Sequence, residues 1–365
     1  MENIVALSTL GRSFLAYLEN NMKALVLKGK NRLAVEDFAI NEQLSPNDVR
    51  IAIKKVGICG SDIHYYLHGQ IGDFIVKEPM ILGHEASGIV IETGSDVKHL
   101  KVGDRVCMEP GIPSFGSSAT LQGKYNLDPT VRFWATPPVH GCMRESVVHP
   151  ASFTFRLPDN VTLEEGSLVE PLAIGVYSAS TATIQPGDVA IVFGAGTIGI
   201  VTALAAVSSG CSKVLLCDIK QGKLDVIKKH FSQNIICINT AKESLDEAIK
   251  DIAPEGADII FEASGSPAVI SNMIKYIRPA GRAVMIGMPA APATYDVVAA
   301  QVKEVEIRHI FRYRNMYPRT INMIASGTMR VKPLITHSYN FSDVIQAFDF
   351  AASMPEDAIK IMIDM

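Results

Sequence analysis

No two cysteines stand in C-x-x-C spacing, no stretch is rich in lysine and arginine, and 365 residues hold a single tryptophan. The scattered cysteines, at 59, 107, 142, 211, 217 and 237, speak against a disulfide framework and read as reduced thiols of a cytoplasmic protein. With 34 basic against 38 acidic residues, a net charge of -4 and a pI near 6.2, nucleic acid is not an expected partner. No export signal is expected either, because MENIVALSTLGRSFLAYLENN has neither a basic start nor a long apolar centre. Residues 1–21 read either as an extension ahead of the strand-like KALVL or as a mis-called start before Met22. Charged residues at 20% and hydrophobic ones at 48% exclude disordered, collagen-like and coiled-coil classes, and the length suits two or three domains.

One long uncharged run is present, Val189 to Ser212, long enough to span a bilayer. Gly194, Gly196 and Gly199 interrupt it after VAIVF, so a buried strand, a glycine turn and a buried helix account for it without a membrane.

The chain changes character along its length. From Met22 onward, KALVL, RLAVEDF and DVRIAIK alternate apolar and polar residues between turn formers, which predicts a β-rich, barrel-like part. The irregular stretch Pro110–Pro138 reads as a lobe. After the helical LEEGSLVEPLAIGVYSASTA, the apolar strands VAIVFGAG, KVLLCDI, NIICINT, ADIIFEAS and GRAVMIG alternate with amphipathic helices, which predicts a parallel sheet covered on both faces. From about His309, FRYRNMYPRTINMIASG and SDVIQAFDFAASM read as helices and IKIMIDM as a final strand. The expected division is 22–170 for a catalytic domain, 171–308 for a dinucleotide domain, and 309–365 for a return to the first.

Gly194, Gly196 and Gly199 form G-x-G-x-x-G directly after a strand and at the mouth of a helix. A second strand follows, ending in Asp218 about 20 residues further on. Gly194 permits the turn, Gly196 lets the backbone approach a pyrophosphate, and Gly199 lets the helix pack on its strand. The helix N-terminus, opening at Thr197, offers free N–H groups to that anion. Asp218 would accept from a ribose and repel a 2′-phosphate, favouring NAD over NADP, although Lys220 and Lys223 temper that preference.

Cys59 in VGICGSDIH and His84 in LGHE lie at glycine-bordered turns, Glu85 follows His84, and Glu170 sits in VEPL. Singly, each reads equally as a core thiol, a satisfied histidine or an exposed acid. Together they are the ligand types of a catalytic zinc site that keeps one position open. Thiolate and one carboxylate would cancel the charge of Zn²⁺, leaving a Lewis acid for an alcohol oxygen beside a nicotinamide.

These residues in this order, C-G-S-D-x-H at 59–64, G-H-E-A-x-G at 83–88, G-D-R-V at 103–106, V-E-P-L at 169–172 and G-A-G-x-I-G at 194–199, resemble the zinc-dependent medium-chain dehydrogenases. HGQIGDFIVKEPMILGHEASG, YNLDPTVRFWATPP and FRYRNMYP resemble the polyol branch, that of sorbitol (L-iditol) and xylitol dehydrogenases. The resemblance implies an α/β fold, with a GroES-like β-barrel catalytic domain and a Rossmann doubly wound sheet. It implies zinc on Cys59, His84 and Glu85 with a water, Glu170 touching that water or replacing a ligand, and Ser61, His64 or Glu170 as proton relay. It further implies that Tyr65, Glu170, Arg312 and Tyr313 contact a sugar alcohol between the walls Phe74 and Phe133. Ile198, Asp218 and Lys223 would hold the adenosine half of NAD, with Ile286, Gly287, Met288, Ile310 and Phe311 near the nicotinamide. Relatives are usually homotetramers or homodimers. Many also carry a structural zinc on four cysteines in the lobe, where this chain has Ser114, Ser117, Thr120 and Asp128, so only the catalytic zinc is expected. A zinc secondary-alcohol, butanediol or threonine dehydrogenase and a non-catalytic NAD-binding protein are the alternatives.

Overall fold

Alternation decides the first half of the chain. In the computed structural model, which describes residues 21–231 and 233–365, the segment DVRIAIKKVGI is the strand Asp48–Ile58, whose inward positions Val49, Ile51 and Ile53 are fully or almost fully buried. It is the central member of a seven-stranded sheet, pairing antiparallel with Glu85–Thr93, Ser146–Pro150 and the C-terminal strand Lys360–Asp364. The sheet continues through Arg105–Met108 to Thr154–Arg156 on one side and to Ile335–Asn340 on the other. Strand Asn21–Gly29, carrying KALVL, runs antiparallel to Arg32–Ala39. The extension assigned to residues 1–21 lies outside the described residues except for Asn21, which opens that strand.

The second half obeys the other period. Six parallel strands stand in the order Ile235–Asn239, Lys213–Asp218, Val189–Phe193, Ala257–Glu262, Ile277–Met285, Glu306–His309. The uncharged run 189–212 resolves into strand Val189–Phe193 and the buried helix Thr197–Ser208. Among the described residues no helix is long and apolar enough to cross a membrane. Helix Val169–Ala182 packs against Thr197–Ser208 and joins the two sheets, and its buried Leu172, Val176 and Ala179 belong to one core with Val192, Ile200 and Leu204. Each buried leucine, valine or isoleucine among them contributes about 1.5–3 kcal/mol relative to exposure.

Three elements differ from the sequence reading. The helix expected from Phe311 begins only at Tyr317 and runs to Ala325, because Pro318 starts a helix well but cannot continue one. The residues before it adopt the left-handed region at Arg312 (φ 53°) and Asn315 (φ 56°). Second, the turn expected at Cys59 is the N-cap of helix Gly60–His68, with Asp62 accepting the Cys59 N–H at 3.1 Å. Third, Ile335–Asn340 is a strand that no sequence pattern indicated.

Candidate active site

Two glycine-bordered turns bring the metal-ligand types together. Cys59 caps its helix, and His84 follows Gly83, whose φ of 88° only glycine adopts without strain. One fully buried carboxylate ties both turns: Asp62 accepts N–H bonds from Cys59 at 3.1 Å and from Gly83 at 3.0 Å, and its Oδ1 lies 3.8 Å from His84 Nδ1. Ligand atoms of Cys59, His84 and Glu85 then lie within 4.8 Å of one another. Burial opposes a charged His84, but the Cys59 sulfur and Asp62 outweigh it and raise the imidazole well above its usual range. His84 Nδ1 is buried without a hydrogen-bond partner, and a cysteine, an imidazole and a carboxylate gathered this closely are a donor set that zinc fits.

Glu170 stands apart from this trio. Its Oε1 accepts from Tyr313 Oη at 2.8 Å, and burial pushes its carboxyl up to about 7, against the pull of His84. A cavity of about 320 Å³ joins Cys59, His84, Glu85 and Glu170 to Ser61, Tyr65, Phe74 and Phe133 on one wall and to Arg312 and Tyr313 on another. Tyr65 is buried, and burial pushes its phenol up to about 12. Phe133 meets His84 edge to face at 5.7 Å. The Arg312 guanidinium lies 4.4 Å above Phe133 and 5.0 Å from Phe311, and its buried Nη1 has no partner. His64 is not in the cavity: it is exposed, and its ring lies 4.6 Å from that of His68 at a tilt of 59°.

The dinucleotide motif opens on the same cavity. Gly194 has φ 98°, and a Cβ at Gly199 would collide with the Gly194 carbonyl, whereas a Cβ at Gly196 would meet open space where the sequence places a pyrophosphate. Asp218 accepts the Ala195 N–H at 2.6 Å and the Lys220 N–H at 2.8 Å, so it braces the glycine turn. Lys223 lies one turn into the next helix, partly buried, its pKa lowered by burial and by Lys220. Ile198, Ile286, Met288, Ile310 and Phe311 line the cavity itself, and Gly287 has no room for a Cβ against Gly265.

Residues 45–159 match the family model for the alcohol dehydrogenase GroES-like domain and residues 197–326 that for a zinc-binding dehydrogenase. The chain is 53% identical over 333 residues to a D-xylulose reductase of Morganella morganii, covering 91% of this chain and 98% of the relative. It belongs to the zinc-binding alcohol dehydrogenase family. A sorbitol dehydrogenase of Mus musculus is 40% identical over 343 residues, 93% of this chain and 95% of that protein. Among solved structures, an Escherichia coli oxidoreductase of unknown specificity superposes with a TM-score of 0.88 at 34% identity, covering 94% of this chain and 99% of that one. The dehydrogenase is thus a zinc-binding, nicotinamide-dependent oxidoreductase.

Sequence reasoning missed two residues of the dehydrogenase's site. Asp62 lies inside the motif that was read, and its bracing role shows only when both turns are folded. Lys360 comes from the C-terminal strand, is buried, and binds both Glu85 oxygens at 2.7 and 2.6 Å and the Ile58 carbonyl at 3.0 Å. Burial opposes its charge, but Glu85 and Cys59 outweigh burial and raise its pKa. A lysine between Ile359 and Ile361 in an apolar strand was the available signal, since such charges are buried only when paired.

Proposed function

We propose that the enzyme oxidises a sugar alcohol of the xylitol or sorbitol type at C2 to the 2-ketose, passing hydride to NAD⁺. The observation that carries this reading is the single cavity in which Cys59, His84 and Glu85 meet the residues beside the dinucleotide turn. The D-xylulose reductase and sorbitol dehydrogenase names of its relatives point to the same substrate class. Residues 22–170 and 309–365 form the catalytic part in this reading, and 171–308 the NAD-binding part.

One zinc per chain, held by Cys59, His84 and Glu85, would supply Lewis acidity to the reacting hydroxyl. Arg312 presents an unpartnered donor to the polyol's further hydroxyls, and Tyr65 offers a phenol that stays protonated. Phe74 and Phe133 give the cavity apolar walls. The hydroxyl proton leaves by Ser61, which lines the cavity. His64 lies three residues further along the same helix face, at the surface. Tyr313 fixes Glu170 at the cavity floor, where its raised pKa suits it to hold or pass that proton near neutral pH. Asp218 selects NAD by its charge.

Initial rates against a panel of polyols and simple secondary alcohols, with NAD⁺ and NADP⁺ in parallel, test the reading. Selective turnover of xylitol or sorbitol with NAD⁺ is expected. Turnover of simple alcohols alone would overturn the assignment of the pocket, and no turnover at all would favour a non-catalytic protein.

A further inference from the structure

The segment 311–314 carries Arg312 and Tyr313 into the cavity, yet it belongs to no helix or strand and holds Arg312 in the left-handed region. A non-glycine residue keeps such a conformation only where its surroundings over-determine it. Here the surroundings are the irregular lobe. The Asn126 amide is buried and makes two bonds to this segment: Nδ2 donates to the Phe311 carbonyl at 2.7 Å, and Oδ1 accepts from Arg314 Nη1 at 3.0 Å. The two contacts bracket Arg312 and Tyr313. Next to it, Tyr125 Oη accepts the Asn315 N–H at 2.7 Å and donates to Glu109 at 2.7 Å, fixing the second left-handed residue. Two residues on, the Asp128 carboxylate gathers the Ser114 and Thr130 N–H groups and the Thr120 and Thr130 hydroxyls, which holds the turn carrying Asn126.

We propose that Asn126 is a positioning residue for polyol recognition: its amide clamps residues 311 and 314 so that the Arg312 guanidinium stays over Phe133 and faces the substrate. The inference rests on the reading of Arg312 as a polyol contact. A side chain with both a donor and an acceptor is needed, because the carbonyl of Phe311 and the guanidinium of Arg314 make opposite demands. The role is one of specificity, since neither Asn126 nor Tyr125 lines the cavity with the metal-ligand residues.

The test is a double-mutant cycle on steady-state kinetics with the polyol that the wild type prefers, using the zinc-loaded enzyme. Asn126→Ala is expected to raise KM for the polyol about tenfold with kcat changed less than about threefold, and to add less than about twofold when introduced into Arg312→Ala. Asn126→Asp, nearly isosteric, keeps the acceptor for Arg314 but sets an oxygen against the Phe311 carbonyl. It is expected to raise KM as well, which covers the case in which the alanine variant fails to fold. A wild-type KM in both single Asn126 variants, with or without a lower melting temperature, would overturn the proposal. So would the same fold-increase in the presence and absence of Arg312. If Arg312→Ala raises KM and the Asn126 variants do not, only the clamp falls. If Arg312→Ala leaves KM unchanged, the reading of Arg312 falls and the clamp with it.

Discussion

Lys360 Nζ lies 2.7 and 2.6 Å from the two oxygens of Glu85, in a pair closed to solvent on both sides. A buried carboxylate that is also a metal ligand has two possible partners for its charge, the ammonium and the ion. Removing one partner of a buried pair costs about 3–5 kcal/mol when nothing replaces it. Lys360→Met should therefore lower the melting temperature strongly in EDTA and much less in the zinc-loaded enzyme. Equal losses in the two states would show that Glu85 does not share its charge with a metal.

The lobe predicts a zinc count. At the four positions where relatives place cysteines, Ser117 and Thr120 bond each other at 2.9 Å, and Asp128 bonds Thr120 and the Ser114 N–H at 3.4 and 2.5 Å. Hydrogen bonds fill the place of a metal, so metal analysis should return one zinc per chain, and Asp128→Ala should lower the melting temperature equally with and without EDTA. Two zinc ions per chain would contradict this.

Stability should carry two opposed pH slopes from neighbouring groups. Burial raises the Glu109 carboxyl to about 7, above its ordinary 4.5, so between those values the folded chain holds a proton the unfolded chain has lost, and stability falls as pH rises. The effect amounts to about 3 kcal/mol. Burial lowers His149 to about 3 from 6.5, so over that span the unfolded chain holds the extra proton and stability falls as pH falls. Urea denaturation at pH 5 and pH 7 should show Glu109→Gln gaining stability at pH 7 relative to wild type. An unchanged profile would place the charge elsewhere.

Cofactor choice should move with one charge. Asp218→Asn keeps an oxygen for the Ala195 or Lys220 N–H but removes the repulsion of a 2′-phosphate. The ratio of kcat/KM for NADP⁺ to that for NAD⁺ should rise at least about tenfold. A constant ratio would show that Lys220 and Lys223 already dominate.

The residues legible in the sequence are those that act through local geometry. Gly194, Gly196, Gly199 and Asp218 announce a turn and its strand, and Cys59 and His84, with Glu85 following, stand at glycines that mark where side chains can leave the backbone. Lys360 escaped because it meets Glu85 across 275 residues, and a strand end such as AIKIMID reads as readily as an edge with its lysine in water. Arg312 was found by resemblance, but its conformation was not, since FRYRN has a helical composition and the contacts that forbid a helix come from Tyr125 and Asn126 in a lobe without periodicity. His64 shows the reverse case: it shares a motif with Cys59, yet it stands at the surface, outside the cavity that Ser61 lines.

The C-terminal strand also imposes an order on synthesis. Ile359 accepts a bond from Thr197 Oγ1, at the mouth of the dinucleotide helix, at 2.8 Å, and the next residue neutralises Glu85. A ribosome delivers Cys59, His84 and Glu85 long before it delivers residues 359–364. Until then strand Asp48–Ile58 lacks one of its three partners, the dinucleotide helix lacks its tie, and the buried carboxylate lacks its counter-charge. A chain halted before that strand leaves Glu85 without its ammonium and Thr197 without its acceptor, so the last residues to be made complete both halves of the cavity.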